Sequence, residues 1–132
     1  MDLIVAVNKL GYIGKDGVLP WYSKRDLFFF KQMTLNKKCL VGSTTYETLP
    51  PLKNRELLVV GKEYLSLDEA LSKKPDYFIG GAKMYESCMQ YCNTLYISVI
   101  NNNTIGDTKF PFHAITEKQN IFFNYFDTDN VL

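Results

Sequence analysis

Residues 77–85 read Tyr77-Phe78-Ile79-Gly80-Gly81-Ala82-Lys83-Met84-Tyr85, an apolar run of strand type that passes through two glycines into a helical stretch reaching residue 91. A short β-rich run that turns at glycine into a helix is one half of a β–α unit, and the same order recurs on both sides of it. Upstream, residues 3–7, 39–42 and 57–60 are brief apolar runs of the kind buried on both faces of a sheet. Three helical stretches lie between them. Ser23-Lys24-Arg25-Asp26 has the form of a capping box ahead of the stripe Leu27, Phe30, Met33 and Thr34. Ser43, Thr44 and Thr45 open a second helix running to Leu49 and stopped by Pro50-Pro51. Ser66-Leu67-Asp68-Glu69 repeats the box before a helix that Lys74-Pro75 ends. Downstream, residues 95–100 and 121–126 are further strands, the last alternating enough to be expected antiparallel at an edge. Strand, helix and strand in repetition predict one α/β domain over residues 1–132. Its architecture is an open, mixed but mainly parallel sheet with helices on both faces.

Composition narrows the partners. The chain has 132 residues, 46% apolar and 22% charged, enough to close a core without staples. Fifteen Lys and Arg are scattered among fourteen acids for a net charge of +1, so the basic stripe that a nucleic acid or a membrane surface needs is missing and a small-molecule partner is expected. Cys39, Cys88 and Cys92 make an odd count, which suits a reducing cytoplasm better than a disulfide framework. Cys88 and Cys92 share a helix face, but His113 is the lone histidine and no second pair completes a tetrahedral site, so no metal is expected. The start lacks a basic leader, and no apolar run has the length of a membrane span.

Residues 8–22 carry Gly11, Gly14, Gly17 and Pro20, which predicts a long functional loop. Asp26 follows it, set among Leu27, Phe28, Phe29 and Phe30. A carboxylate in apolar surroundings pairs well with a flat, basic heterocycle through two parallel hydrogen bonds. Helix physics alone prefers the plainer reading, an acid completing the cap begun by Ser23. The Gly80-Gly81 turn and the similar Gly42-Ser43-Thr44-Thr45 junction are two places where a phosphate can approach free amides, and together they suit a dinucleotide; glycine also serves close packing there. Arg55 is a fork-shaped cation able to clamp a carboxylate, although most such arginines are merely solvated. Trp21 and Tyr85 also read as core aromatics.

Taken together, the order and spacing from residue 3 to residue 111 resemble dihydrofolate reductase. Ile13-Gly14, Leu19-Pro20-Trp21, Asp26-Leu27 and Phe30-Lys31 match its mobile loop and the helix behind it. Thr45-Tyr46-Glu47 matches its cofactor helix, Leu52 and Arg55 its Leu-x-x-Arg element, and Ile79 to Tyr85 its Gly-Gly junction. Leu95-Tyr96-Ile97-Ser98, Gly106-Asp107-Thr108 and Phe110-Pro111 complete the series. The resemblance implies NADPH-dependent reduction of dihydrofolate to tetrahydrofolate, in the service of thymidylate and one-carbon metabolism, and it turns the reading of Asp26 from cap to substrate anchor. It implies that Ser98 supports that carboxylate and that Trp21 orders water near the pterin. Ile4, Ala6, Leu27, Phe30, Leu49 and Ile79 form the substrate slot, and Arg55 grips the glutamate carboxylate. Leu19 closes the loop over the nicotinamide. On the cofactor side it points to Ala6, Ile13, Gly14, Leu19, Gly42, Ser43, Thr44, Thr45, Ile79, Gly80, Gly81, Ala82, Lys83, Met84 and Tyr85.

The chain departs from the pattern in three places. Ser43 stands where the family often has a basic residue for the ribose phosphate, a charge that Lys62 can supply instead. Residues 61–66 are shorter than usual. After residue 126 too little remains for the family's final hairpin, so the last strand either pairs with residues 95–100 or leaves an edge for another subunit, giving a monomer or a weak homo-oligomer. A non-catalytic folate- or nucleotide-binding protein, or a pterin or pyrimidine reductase on the same scaffold, are the alternatives. Arg55 separates the last of these, because a substrate without a glutamate tail has no use for it.

Overall fold

A computed structural model of the chain describes residues 1–14 and 19–129, so Gly17, part of the expected loop, lies outside the described residues. Six parallel strands form the main sheet in the order β4-β3-β5-β1-β6-β8. They are β1 Asp2–Asn8, β3 Lys38–Gly42, β4 Glu56–Val60, β5 Tyr77–Phe78, β6 Thr94–Asn101 and β8 Asn120–Asp127. A separate antiparallel pair, β2 Tyr12–Gly14 and β7 Thr108–Lys109, lies in the connections. The helices are α1 Lys24–Thr34, α2 Ser43–Tyr46, α3 Leu67–Ser72 and α4 Tyr85–Met89. No helix among the described residues is long and apolar enough to cross a membrane.

Register explains where the core sits. Leu58, Leu40, Phe78, Leu3 and Leu95 stand side by side across five strands. All five are buried, and Ala70 of α3 with Cys88 and Met89 of α4 close over that face. Because successive side chains alternate, Ile4, Ala6, Cys39, Val41, Tyr96 and Ser98 point to the opposite face, which α1 covers. Helices therefore lie on both faces, as expected from the strand–helix order.

Four expectations are corrected. The last strand is parallel, with Thr94 opposite Asn120 and Asn101 opposite Asp127. Its direction is set before it begins: Gln119 Nε2 donates to the carbonyls of Met89 at 2.7 Å and Cys92 at 2.9 Å, and the Asn120 amide donates to Asn93 O at 3.1 Å. Those bonds start β8 at the end where β6 also starts. The stretch expected as one helix over residues 82–91 is a 3₁₀ turn, Ala82–Met84, followed by the short α4. The second helix stops at Tyr46, with turn bonds from Thr48 and Leu49 to Thr45 O carrying the chain on. The glycine-rich loop is not wholly irregular, since it contains β2.

Candidate active site

Ser98 is paired in register with Ala6, and Tyr96 with Ile4, at the heart of the α1-covered face. α1 begins there because Ser23 caps it, its Oγ accepting from the Asp26 amide at 3.3 Å. Asp26 is the third residue of that helix. The carboxylate makes no return bond to the Ser23 amide, so the expected box is only half closed and the acid is free to point inward. Burial raises its pKa from 3.8 to about 6, and the neighbouring Ser98 hydroxyl draws it part of the way back. Ser98 is itself fully buried, yet its Oγ has no partner at hydrogen-bonding geometry. The two groups are near neighbours rather than a closed pair.

Buried polar side-chain atoms without a partner are costly, about 1–3 kcal/mol each, and native structures keep few of them. Among the described residues they are Trp21 Nε1, Arg55 Nε and Nη1, and Ser98 Oγ. All three residues were singled out from the sequence. Arg55 stands immediately before β4 and borders a cleft of about 410 Å³ that Lys37, Lys38, Asn36, Asn54 and Glu56 also line. Its charge reaches Cys39, whose thiol burial pushes up to about 11 and Arg55 draws down. Cys39 shares the face of Ile4 and Ser98, so Arg55 and Asp26 serve one side of the sheet.

The second cluster lies at the carboxyl ends of β3, β4 and β5, where open α/β sheets bind their ligands. Gly42 N donates to Gly80 O at 2.8 Å, joining the two glycine turns. A Cβ at Gly42 would stand 2.6 Å from Met84 Sδ. Side chains at Gly81 and Gly61 would collide with the hydroxyls of Thr45 and Ser43, and Gly80 has a φ of +121°, which L side chains rarely adopt. The Gly80–Gly81 peptide is cis. Tyr85 is buried beneath Gly80, and burial holds its hydroxyl well above its ordinary pKa. Glycine thus leaves bare backbone over a floor of hydroxyls, which fits a phosphate-bearing ligand.

Other expected residues sit around these clusters. Ile13 and Met84 pack against the core, and Gly14 pairs with Thr108. Phe30, Leu49 and Ile79 are half-buried, whereas Thr44, Lys62, Ala82 and Lys83 are exposed. Leu19 and Leu27 are about half exposed, at 52% and 50%. A cavity of about 600 Å³ touches neither cluster; Lys24, Arg25, Phe28, Phe29, Gln32 and Phe126 line it.

Asn8 was missed in the sequence. Fully buried at the end of β1, its Oδ1 accepts from the amides of Leu10 and Tyr12, both at 3.0 Å. Its Nδ2 donates to Thr104 O at 2.7 Å and Asn102 Oδ1 at 3.3 Å, and Asn102 reaches Pro20 O. It ties the glycine-rich loop to the segment after β6. A lone amide ending an apolar strand is the signal that could have found it. Gly61, also missed, is marked only by following an apolar strand.

The family model described as "Dihydrofolate reductase" matches residues 1–130. The chain is 30% identical to a dihydrofolate reductase of Buchnera aphidicola subsp. Acyrthosiphon pisum, over 98% of this chain and 90% of that one. It is 33% identical to the type 1 dihydrofolate reductase of Escherichia coli, over 84% of this chain and 81% of that one. Among solved structures it is similar to dihydrofolate reductase from Enterococcus faecalis complexed with NADP(H) and RAB-propyl. The TM-score there is 0.72 at 31% identity, covering 83% of this chain and 76% of that one.

Proposed function

This chain belongs to the dihydrofolate reductase family, and on that premise we propose how its own residues carry the reaction. It is an oxidoreductase that reduces dihydrofolate to tetrahydrofolate. NADPH, when bound, supplies the hydride.

The observation that carries the reading is a half-buried carboxylate, Asp26, whose pKa burial raises to about 6, beside an unpartnered Ser98 hydroxyl on the sheet face that also holds Ile4 and Ala6. Asp26 anchors the pterin amino group and ring nitrogen through its two oxygens, and its negative charge favours protonation of the substrate imine. Ser98 steadies the carboxylate. Proton delivery runs through water, which the unpartnered Trp21 indole N–H is suited to hold. Leu27, Phe30, Leu49 and Ile79 wall the slot, and Arg55 takes the glutamate carboxylate with its fork of donors. Gly42, Ser43, Thr45, Gly80, Gly81 and Met84 hold the cofactor pyrophosphate and nicotinamide against bare backbone, with Ala6, Ile13, Gly14, Leu19, Thr44, Ala82, Lys83 and Tyr85 completing its surroundings. Lys62, exposed just past β4, supplies the charge for the ribose phosphate.

The whole chain is read as one domain acting in the cytoplasm, and the exposed edge of β8 supports self-association. Loss of NADPH absorbance on adding dihydrofolate tests the reaction. Purified chain should oxidise cofactor, and a folded chain that does not ends the enzymatic reading. Arg55→Ala should raise KM for dihydrofolate roughly 10- to 100-fold, the worth of charge-assisted hydrogen bonds, while sparing a pterin that lacks the glutamate tail. An unchanged KM would favour a reductase of tail-less substrates.

A further inference from the structure

β8 is the outermost strand of the sheet, and among the described residues nothing pairs with its outer edge. Edge strands normally carry lysine, proline or a bulge that discourages further pairing. β8 has none of these across its eight residues, and its one charge is Asp127. The apolar rows of the sheet run straight out onto it: Ile121 extends the Leu3–Leu95 row and Phe123 the Val5–Ile97 row, and both are exposed.

The strand is also symmetric in its side chains. Phe122-Phe123-Asn124-Tyr125-Phe126 presents rings at the same positions read in either direction from Asn124. Alternation places Phe122, Asn124 and Phe126 on the face of α1, where Phe126 meets Phe29 with ring centroids 6.1 Å apart, and Phe123 and Tyr125 on the other. A two-fold axis perpendicular to the sheet keeps each face continuous across an antiparallel pair of such strands. Centred on Asn124, it sets Phe122 against Phe126 and Phe123 against Tyr125, each twice, with the two Asn124 amides facing each other. Cross-strand aromatic pairs of this kind are the favourable ones. Centring one residue earlier would oppose Phe122 to Asn124 and lose that match.

We infer that the outer edge of β8 is occupied by a second copy of this chain, through antiparallel β8–β8 pairing centred on Asn124. Two six-stranded sheets become one of twelve. The inference rests on the self-association reading above and is independent of the reaction. The second copy's Phe122 comes to lie beside Phe126, at the mouth of the cavity of about 600 Å³ that Phe28 and Phe29 also line. Phe28, Phe122, Phe123 and Tyr125 are 64%, 57%, 49% and 75% exposed. At about 200 Å² per aromatic residue the patch offers on the order of 500 Å² per copy, so the pair buries roughly 1,000 Å², the lower bound for a specific interface. A reversible dimer is the expected form.

Sedimentation of the full chain across a wide concentration range tests this with a charge swap. F123K/Y125K sets lysine opposite lysine on the far side of the axis and should weaken association on the order of 100-fold. F123K/Y125E sets lysine opposite glutamate in the Asn124-centred register and should recover most of that loss. Both positions face away from Asp26, so turnover of dihydrofolate reports that each variant is folded. A wild-type chain that stays monomeric throughout removes self-association altogether. A dimer indifferent to F123K/Y125K, or an F123K/Y125E variant as dissociated as F123K/Y125K, overturns the β8 pairing and its register. In the unmodified chain, amide exchange over residues 120–127 should slow as concentration rises; exchange independent of concentration counts equally against it.

Discussion

Ser23-Lys24-Arg25-Asp26 and Ser66-Leu67-Asp68-Glu69 are the same local sentence, a serine cap with an acid at the third helical position, and the fold uses them in opposite ways. At α3 the box is closed. Ser66 Oγ accepts from the Glu69 amide at 3.1 Å, and the Ser66 amide donates to Glu69 Oε1 at 3.2 Å. Glu69 is exposed, and its bonds to Ser66 hold its pKa below the ordinary value. At α1 the serine caps alone. Asp26 is turned into the sheet face beside Ser98, and burial pushes its pKa up. One carboxylate stabilises its helix, while the other is held at a cost, as the proposed role of substrate anchor requires. An acid is marked as functional by what it gives up locally, not by its sequence neighbours.

Substitutions can break or sharpen that contrast. The largest effect is expected from Asp26→Asn, which keeps the shape but removes the charge and should lower the rate of dihydrofolate reduction roughly 10²–10³-fold in a steady-state assay, a loss typical of a charged group aimed at the reacting ligand. The same variant should be more stable than the unmodified chain at alkaline pH. With a folded pKa of about 6 against 3.8 unfolded, the folded state holds its proton more tightly. The stabilisation this gives is complete below pH 4 and is lost as pH rises through 6. Above that the ionised Asp26 costs roughly 2–3 kcal/mol that asparagine avoids. Denaturant unfolding at acid and alkaline pH should therefore find the difference at alkaline pH only, and equal gaps at both would refute the buried charge.

Smaller effects follow at the neighbours. Ser98→Ala should move the pH midpoint of substrate binding upward, because the hydroxyl that draws the Asp26 pKa down is gone, whereas Ser98→Thr should restore it. Below pH 4, where Asp26 is protonated, stability should not fall, since Ser98 Oγ is a buried group without a partner. Ser66→Ala should cost about 1 kcal/mol in unfolding and leave turnover unchanged. A turnover defect there would erase the distinction between the two boxes.

Much of the architecture was legible because it rests on local chemistry. Strand positions followed from β-rich runs such as residues 39–42, and helix starts from Ser23 and Ser66. The two glycine turns were legible as places where the backbone is left bare, and the fold joins them through the bond from Gly42 N to Gly80 O. The direction of β8 was not legible. It is set by Gln119 reaching carbonyls on a segment some thirty residues earlier, a bond no local pattern announces. Asn8 escaped for the same reason, since its partners at Thr104 and Asn102 are distant in the chain.

What the chain's order of residues determined by itself was periodic and local: where strands and helices form, where glycine bares the backbone, and which residue types are at hand for chemistry. Only the tertiary structure decided which of two similar caps turns its acid inward, which way the last strand runs, and that an aromatic strand stands outermost in the sheet. Local propensity depends on neighbours a turn or a strand away. Burial, pairing direction and pKa depend on what the rest of the chain places alongside, and no stretch of sequence contains its own surroundings.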